Sequence, residues 1–379
     1  MITVFYARFA YVNPGVPHFL NALQTAPPEG LRAVNVSDHT LEEVSLFAAE
    51  SSTIAIDQSI ENAGTWVPAN DFSIYRIRGN HPASFFAEIS ERLWTAGARR
   101  LFMSNFDLHD VRIPPLLEKI TGKVDAISWM FEKRPLTWTE IPAQYRDPWL
   151  TPEHNPLVTW NLVRAVAPVR IELPFSLAPE EFSGESPKEA WDACVPGAPY
   201  ATRRLATESI RRAGLSCGPV RTVSLLGLGV SRVFGVVLPN ETASLAAIAL
   251  RQRLQRTVVR SCAASFVCGS GVAFATRKFF EVPGLLAPML AYPCVGFEDY
   301  GFSHGENVVS TIPEEAGKDA RWLRSNRAAA NKIARAGQEM IRKLHSLEVR
   351  VTQFAECLRR LDRGDLAGAQ FRDGGFEIK

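Results

Sequence analysis

Two cations at the start of a predicted helix carry the clearest chemical signal in this sequence. Arg277 and Lys278 follow the apolar segment 265–275 and open a helix that is predicted over 278–286. A guanidinium or ammonium group beside a helix N-terminus stabilises a phosphate, especially one that gains negative charge as a bond to it breaks. The pair therefore predicts a clamp for a phosphate or diphosphate that needs no metal ion.

Other cations of the second half could add to this clamp. Arg203 and Arg204 lie in a helix predicted over 200–213. A second helix, predicted over 241–260, carries four more arginines, of which Arg251, Arg253 and Arg256 more often form a solvated face. These four are Arg251, Arg253, Arg256 and Arg260.

Further candidates lie in the first half of the chain. Gly15 separates the first predicted strand from the first predicted helix, where backbone N–H groups attract negative charge. His18 lies in the first turn of that helix and could accept a proton from a hydroxyl group as a neutral base. A plain turn glycine and a surface histidine are the competing interpretations.

A carboxylate and an imidazole follow the strand predicted over 101–106. Open α/β sheets bind ligands at the carboxyl ends of their strands, which is where Asp107, His109 and Asp110 fall. An imidazole that a carboxylate orients can serve as a general base. Capping of the next helix by one of the two aspartates is the competing interpretation.

The bulk composition limits the class of protein. A chain of 379 residues with 46% hydrophobic and 22% charged residues is typical of a globular protein with two domains. The net charge of +2 argues against a nucleic-acid binder. Residues 1–170 hold 15 Lys and Arg against 18 Asp and Glu, and residues 171–379 hold 27 against 22. The second half is therefore the more cationic one, as an anion site requires.

The cysteines and the short length of the apolar runs indicate the cellular compartment of the protein. All six cysteines lie in the second half, and neither a CxxC pair nor a zinc-ligand spacing occurs. Free thiols in a reducing compartment are expected. We find no signal peptide and no apolar run long enough to span a bilayer. These features predict a cytoplasmic protein and leave contact with the inner face of the membrane open.

Short apolar strands alternate with helices along the first half, which predicts a largely parallel sheet. Strands are predicted over 2–6, 31–36, 53–56, 72–77, 101–106 and 124–130, and helices over 16–23, 39–50, 81–96, 114–120 and 155–166.

The segment 133–156 breaks the alternation with five prolines and is predicted to be a long connecting excursion. Strands are predicted again over 191–195, 220–226, 265–267 and 288–291. The pattern predicts an α/β fold with two Rossmann-like domains facing a cleft. We place them at residues 1–170 and 171–360, followed by a C-terminal tail over 361–379.

Four short motifs follow one another in the second half. They are an Asp-bearing strand with a glycine turn and an arginine helix, a K-x-F-E helix, a glycine–acid turn, and a helix with a His and an Arg. In this order they resemble GT-B glycosyltransferases, in particular the CgeB-like branch and the C-terminal domain of the family 1 type. The resemblance covers about residues 170–360. The motif residues are Asp192, Gly197, Tyr200, Arg203, Arg204, Lys278, Phe280, Glu281, Gly305, Glu306, Val308, Ala334, Gly337, His345 and Arg350.

The resemblance implies transfer of a sugar from a nucleotide-activated donor to a hydroxyl of a surface glycan or lipid-linked acceptor. The C-terminal domain would hold the nucleotide, and the N-terminal domain would hold the acceptor and supply a base from His18, Asp107 or His109. No metal and no cofactor is expected besides the nucleotide-sugar substrate. The implied donor-binding residues are Gly15, Gly197, Tyr200, Arg203, Arg277, Lys278, Glu281, Glu298, His304 and Glu306.

Two alternatives stay open. A transferase of a CMP-activated acidic sugar of the Kdo type would use extra cations near the donor site. A non-catalytic module that binds a glycan or a nucleotide could keep the same fold. The second alternative draws on Met289, which stands where the second acid of the family's pair would lie, eight positions after Glu281.

Overall fold

The computed structural model describes most of the chain. The described residues are 1–7, 10–11, 15–64, 74–75, 81–103, 113–130, 132–147, 156–184, 189–220, 241–269, 271 and 273–379. They form a mixed α/β structure with a large sheet and a smaller one, which confirms the predicted fold class. Among these residues, we find no helix with the length and apolar character that crossing a membrane requires.

Eight strands form the large sheet. In their order across the sheet they are β13 (Gly375–Ile378), β12 (Ala369–Arg372), β8 (Val169–Glu172), β7 (Ala126–Trp129), β6 (Arg100–Phe102), β4 (Thr53–Asp57), β1 (Ile2–Tyr6) and β3 (Leu31–Asn35). All neighbours are parallel except β12 and β13. The predicted strands are confirmed to within two residues at their described ends, except that β6 ends at Phe102, four residues before the predicted end at 106. A separate antiparallel pair joins β2 (Ala10–Tyr11) to β5 (Ile74–Tyr75).

Helices cover both faces of this sheet. Along β1, Val4 packs with Leu23 of the first helix, and Phe5 packs on the other face with Phe86 of the fourth. Apolar residues on both faces of a strand are typical of a parallel sheet that is covered on both sides. The helices of this part are α1 (Gly15–Thr25), α2 (Leu41–Ala49), α3 (Gln58–Gly64), α4 (Ala83–Thr95), α5 (Ile113–Ile120) and α6 (Pro156–Val166).

In the described part of the chain, the small sheet has three parallel strands, β9 (Ser265–Cys268), β10 (Met289–Tyr292) and β11 (Val309–Ser310), in the order β11-β10-β9. The strand predicted over 191–195 takes part only through isolated parallel bridges, for example between Cys194 and Ser265. The strand predicted over 220–226 lies outside the described residues except for its first residue. The helices of this part are α7 (Ala201–Arg212), α8 (Glu241–Arg260), α9 (Arg277–Gly284), α10 (Ala316–Ser325) and α11 (Arg327–His345).

The end of the chain returns to the large sheet. Helix α12 (Leu347–Arg363) packs Phe354 and Leu358 in one core with Val4, and β12 pairs with β8. Most of the residues predicted as a tail over 361–379 form a hairpin that extends the sheet. Nothing in the local sequence of α12 indicates which sheet covers its apolar face. The boundaries of the two domains otherwise stay a prediction.

Candidate donor site

The predicted clamp lies in a largely buried cluster of charges at the start of α9. Arg277 is 4% exposed and Glu281 is 6% exposed. Lys278 donates to Glu281 one turn along the helix, while Arg277 donates to Glu181, which belongs to another segment. Arg256 of α8 contacts both carboxylates, with its Nε 3.5 Å from Oε1 of Glu281. We call these five residues the charge cluster.

Sequence reasoning found part of the charge cluster. Arg277, Lys278 and Glu281 were predicted to lie together, and the structure brings them together. Arg256 was assigned to a solvated face, but its side chain is only 21% exposed because it pairs with the two carboxylates. Glu181 was missed, since nothing in its local sequence links it to a helix almost a hundred residues away.

The charge cluster keeps a net positive charge. Burial alone would raise the pKa of Glu281, but the adjacent Lys278, Arg277 and Arg256 lower it to about 2. The carboxylate is therefore ionised near neutral pH. Counted over these five described residues alone, three cations face two carboxylates, so the cluster has one more cation than it has carboxylates. Such a site can bind an anion when the anion takes over some of these pairings.

A second group of predicted residues holds the loop before α7. Gly197 has a positive φ of 111°. Arg203 is 5% exposed, stacks over the ring of Tyr200, and donates through Nη1 to the carbonyl of Ala198 at 3.0 Å. Its Nη2 donates to the carbonyl of Cys268 at 3.1 Å, at the carboxyl end of β9. Arg203 therefore fastens the glycine loop to the edge where open α/β sheets bind ligands.

The start of α9 also reaches the end of β9. The hydroxyl of Thr276, the residue before α9, also points to the Cys268 carbonyl, at 3.5 Å. Thr276 has the extended backbone of an N-cap but forms no side-chain cap within the described residues. The positive end of the α9 dipole thus lies beside the cations of the charge cluster, where it adds to their attraction for an anion.

We expect Gly197→Ala to lower the free energy of unfolding by about 1–3 kcal/mol, because an L-residue is strained at this φ. A Cβ at this position would also lie 2.4 Å from Nη1 of Arg203 and would displace the guanidinium. Urea unfolding measures the loss. Gly30→Ala is the matched control, since Gly30 has a φ of 77° and open space around its Cβ position. Equal losses in both variants would contradict the role given to the Arg203 contact.

A cavity of about 690 Å³ lies next to this loop, between α7 and residues 217–220. Gly197 and Arg203 form part of its wall. Glu208 also lines it but pairs with Arg212, so that its charge is offset. Within the described residues, none of the three arginines that line the cavity forms an ion pair with a carboxylate. The cavity is therefore cationic. Its charged and polar lining residues are Arg203, Arg204, Thr207, Glu208 and Arg211.

A third set of implied donor-binding residues lies in the loop between β10 and β11. Glu298, His304 and Glu306 are exposed between β10 and β11. Nδ1 of His304 accepts a hydrogen bond from the backbone N–H of Ser310 at 3.0 Å, so this nitrogen is engaged in shaping the loop. Among the described residues, no hydrogen bond or ion pair connects these three side chains to the cluster. Their role in donor binding stays a prediction.

The candidates of the first half are not tested. Helix α1 begins at Gly15 and contains His18, but the side chains at these two positions are outside the described part of the structure. Asp107 and His109 also lie outside the described residues. Their proposed roles as a helix-start anion site and as a base stay predictions.

His345 and Arg350, from the fourth sequence motif, form a buried pair. His345 and Arg350 are almost completely buried, and Arg350 donates to Nδ1 of His345 at 2.9 Å. Nε2 of His345 therefore carries the proton and donates to the carbonyl of Tyr300 at 2.8 Å. Burial and the Arg350 charge lower the pKa of His345 well below its usual value. The pair connects α11 and α12 to the loop after β10.

Residues of the predicted excursion over 133–156 contact distant parts of the chain that the sequence did not indicate. Asp147 accepts a hydrogen bond from the backbone N–H of Ala201 at 2.6 Å, at the start of α7. The hydroxyl of Tyr145 donates to Glu314 at 2.7 Å. The prolines of this segment predicted a connection, and they carry no signal for these distant partners.

Comparison with known proteins gives one match to a family model. Residues 242–356 match the family described as glycosyl transferase-like. No curated protein matches the chain.

Several solved structures resemble the chain at low identity. Sucrose-phosphate synthase from Thermosynechococcus elongatus is 11% identical, with 96% of this chain and 100% of that chain covered and a TM-score of 0.48. HepE of Anabaena, solved with UDP and glucose, is 10% identical over 95% and 100%, with a TM-score of 0.47. A glycosyltransferase from Rickettsia africae is 9% identical over 96% and 99%, with a TM-score of 0.42. Similarity at this level does not establish a shared activity.

The segment that matches the family model runs from α8 to α12 and contains the start of α9 with Arg277, Lys278 and Glu281. Residues 242–356 are therefore similar to the family described as glycosyl transferase-like.

Proposed function

We propose that this protein is a glycosyltransferase that moves a sugar from a nucleotide-activated donor to a hydroxyl of a surface glycan or lipid-linked acceptor. The observation that carries the proposal is the net positive charge cluster at the start of α9, four of whose five residues lie within the glycosyl transferase-like segment. We further propose a cytoplasmic location, with contact at the inner face of the membrane left open, and no cofactor besides the donor.

The charge cluster suits a leaving nucleotide. When the bond between the sugar and the phosphate breaks, negative charge grows on the departing phosphate. Lys278 and Arg277, with the N-terminus of α9, would stabilise this charge without a metal ion. The ionised carboxylate of Glu281 would accept hydrogen bonds from the two vicinal hydroxyls of the ribose. A base from the first half, His18, Asp107 or His109, would take the proton of the acceptor hydroxyl.

Calorimetry with UDP, GDP, TDP and CMP tests this proposal, because the leaving nucleotide defines the class of donor. We expect one of these nucleotides to bind more tightly than the others, and its affinity to fall as salt rises, since the pairing is ionic. A protein that binds none of the four would contradict the proposed function.

The cationic cavity supports a second candidate, a transferase of a CMP-activated acidic sugar of the Kdo type. Arg204 and Arg211 line the cavity beyond Arg203, and no carboxylate pairs with them in the described residues. A sugar carboxylate would supply the missing partner. Selective binding of CMP in the same calorimetric series would favour this candidate, and selective binding of a nucleoside diphosphate would exclude it.

A further inference from the structure

The segment 137–147, which we call the strap, lies across the carboxyl edge of the small sheet. We infer that two of its residues, Asp147 and Tyr145, are positioning residues of the donor site: they hold the glycine loop, the start of α7 and the end of β10 in place without touching the donor. The inference rests on the proposed function, since it assigns the strap to the same site.

Asp147 supplies a helix cap from a distant part of the chain. Its side chain is 1% exposed, and Oδ1 accepts a hydrogen bond from the N–H of Ala201, the first residue of α7. The N-cap residue itself, Tyr200, makes no side-chain cap. A carboxylate at a helix N-terminus is stabilised by the unpaired N–H groups and the helix dipole. Asp147 therefore fixes the first turn of α7, which carries Arg203.

Tyr145 anchors the strap to the end of β10. Its ring packs edge-on against Tyr292, the last residue of β10, at 5.2 Å between centroids. Its hydroxyl donates to Glu314 at 2.7 Å. A Cβ at Gly271 would lie 2.5 Å from the Tyr145 carbonyl, so the loop between β9 and α9 approaches the strap as closely as only glycine allows.

The strap is itself held by the first half of the chain. Ile141 and Tyr145 belong to the apolar core that contains Trp129 of β7, and Phe274 from the β9–α9 loop packs in the same core. The backbone N–H of Thr137 donates to Glu140 at 2.6 Å and closes a tight turn at the start of the strap. The strap therefore links the large sheet to the start of α7 and to the end of β10.

The test combines amide hydrogen exchange with nucleotide binding. In Asp147→Ala we expect faster exchange over residues 201–203 and at least a tenfold weaker affinity for the nucleotide that binds best among UDP, GDP, TDP and CMP. Asp147→Asn keeps the acceptor oxygen and loses the charge, so we expect it to restore most of the affinity. This variant also keeps the test decisive if Asp147→Ala folds poorly.

Thr40→Ala is the matched control. Thr40 caps α2 through the N–H of Glu43 at 3.2 Å, in a helix that packs on the large sheet. This variant should loosen its own helix and leave nucleotide affinity unchanged. Unchanged affinity in Asp147→Ala, or unchanged exchange over 201–203, overturns the inference and leaves the proposed function standing. A wild-type protein that binds none of the four nucleotides overturns both.

Discussion

Replacing Lys278 with alanine is expected to lower sugar transfer about 100- to 1,000-fold, the usual effect of removing one preorganised group that stabilises developing charge. Lys278 is the cation that pairs with Glu281 within the same helix, and its side chain is still 18% exposed. It can therefore exchange this partner for a phosphate of the donor. Transfer from the nucleotide-sugar of the nucleotide identified by calorimetry measures the effect.

Lys318→Ala is the control for this experiment. Lys318 also pairs with a glutamate three residues away in sequence, Glu315, but the lysine side chain is 77% exposed and lies outside the charge cluster. We expect wild-type transfer in this variant. Full activity of Lys278→Ala would contradict the proposed clamp. A wild-type protein that binds a nucleotide and transfers no sugar would support the alternative of a non-catalytic binding module.

The second large effect concerns a buried glutamate between the two sheets. Glu172 at the end of β8 is fully buried; its Oε1 accepts from the hydroxyl of Tyr300 at 2.6 Å and its Oε2 from the N–H of Phe371 at 2.8 Å. Burial raises the pKa of Glu172 to about 7, even though both hydrogen bonds and the charge of Lys133 lower it. The folded protein therefore holds a proton here that the unfolded chain loses at lower pH.

This difference predicts how stability changes with pH. The pKa of Glu172 is higher in the folded state than in the unfolded chain. Its contribution to the free energy of unfolding is therefore largest below the unfolded pKa near 4.5 and is lost as the pH rises to about 7. The loss amounts to at most about 3 kcal/mol, since one pKa unit corresponds to 1.36 kcal/mol. Glu172→Gln imitates the protonated side chain, so we expect its stability to be nearly independent of pH at this site.

Urea unfolding of both proteins between pH 5 and pH 8 checks this expectation, and the difference between them isolates Glu172 from the other titrating groups. We expect the glutamine variant to gain stability relative to wild type as the pH rises. Glu88→Gln on the exposed face of α4, where Glu88 pairs with Arg92, should follow the wild-type profile. Parallel curves for wild type and Glu172→Gln would show that the buried carboxyl is not the titrating group.

Local patterns in the sequence predicted much of the fold. The alternation of apolar strands with helices predicted the strands of the large sheet before residue 130, and the apolar spacing of 81–96 predicted α4. Such patterns arise from contacts between near neighbours, because side chains two apart on a strand or three to four apart on a helix share one face. The pairing of Lys278 with Glu281 could be predicted for the same reason, because the two residues are three apart on one helix.

Tertiary structure alone decided the remainder. Glu181 joins the charge cluster from 96 residues before Arg277, and Glu172 meets Tyr300 across 128 residues. The return of α12 and the final hairpin to the large sheet, and the approach of Asp147 to α7, are contacts of the same long-range kind. The sequence by itself determined most of the strands and helices of the first half and where cations concentrate. Which distant surfaces meet depends on how these elements bury their apolar faces together, and that is settled only when the whole chain packs.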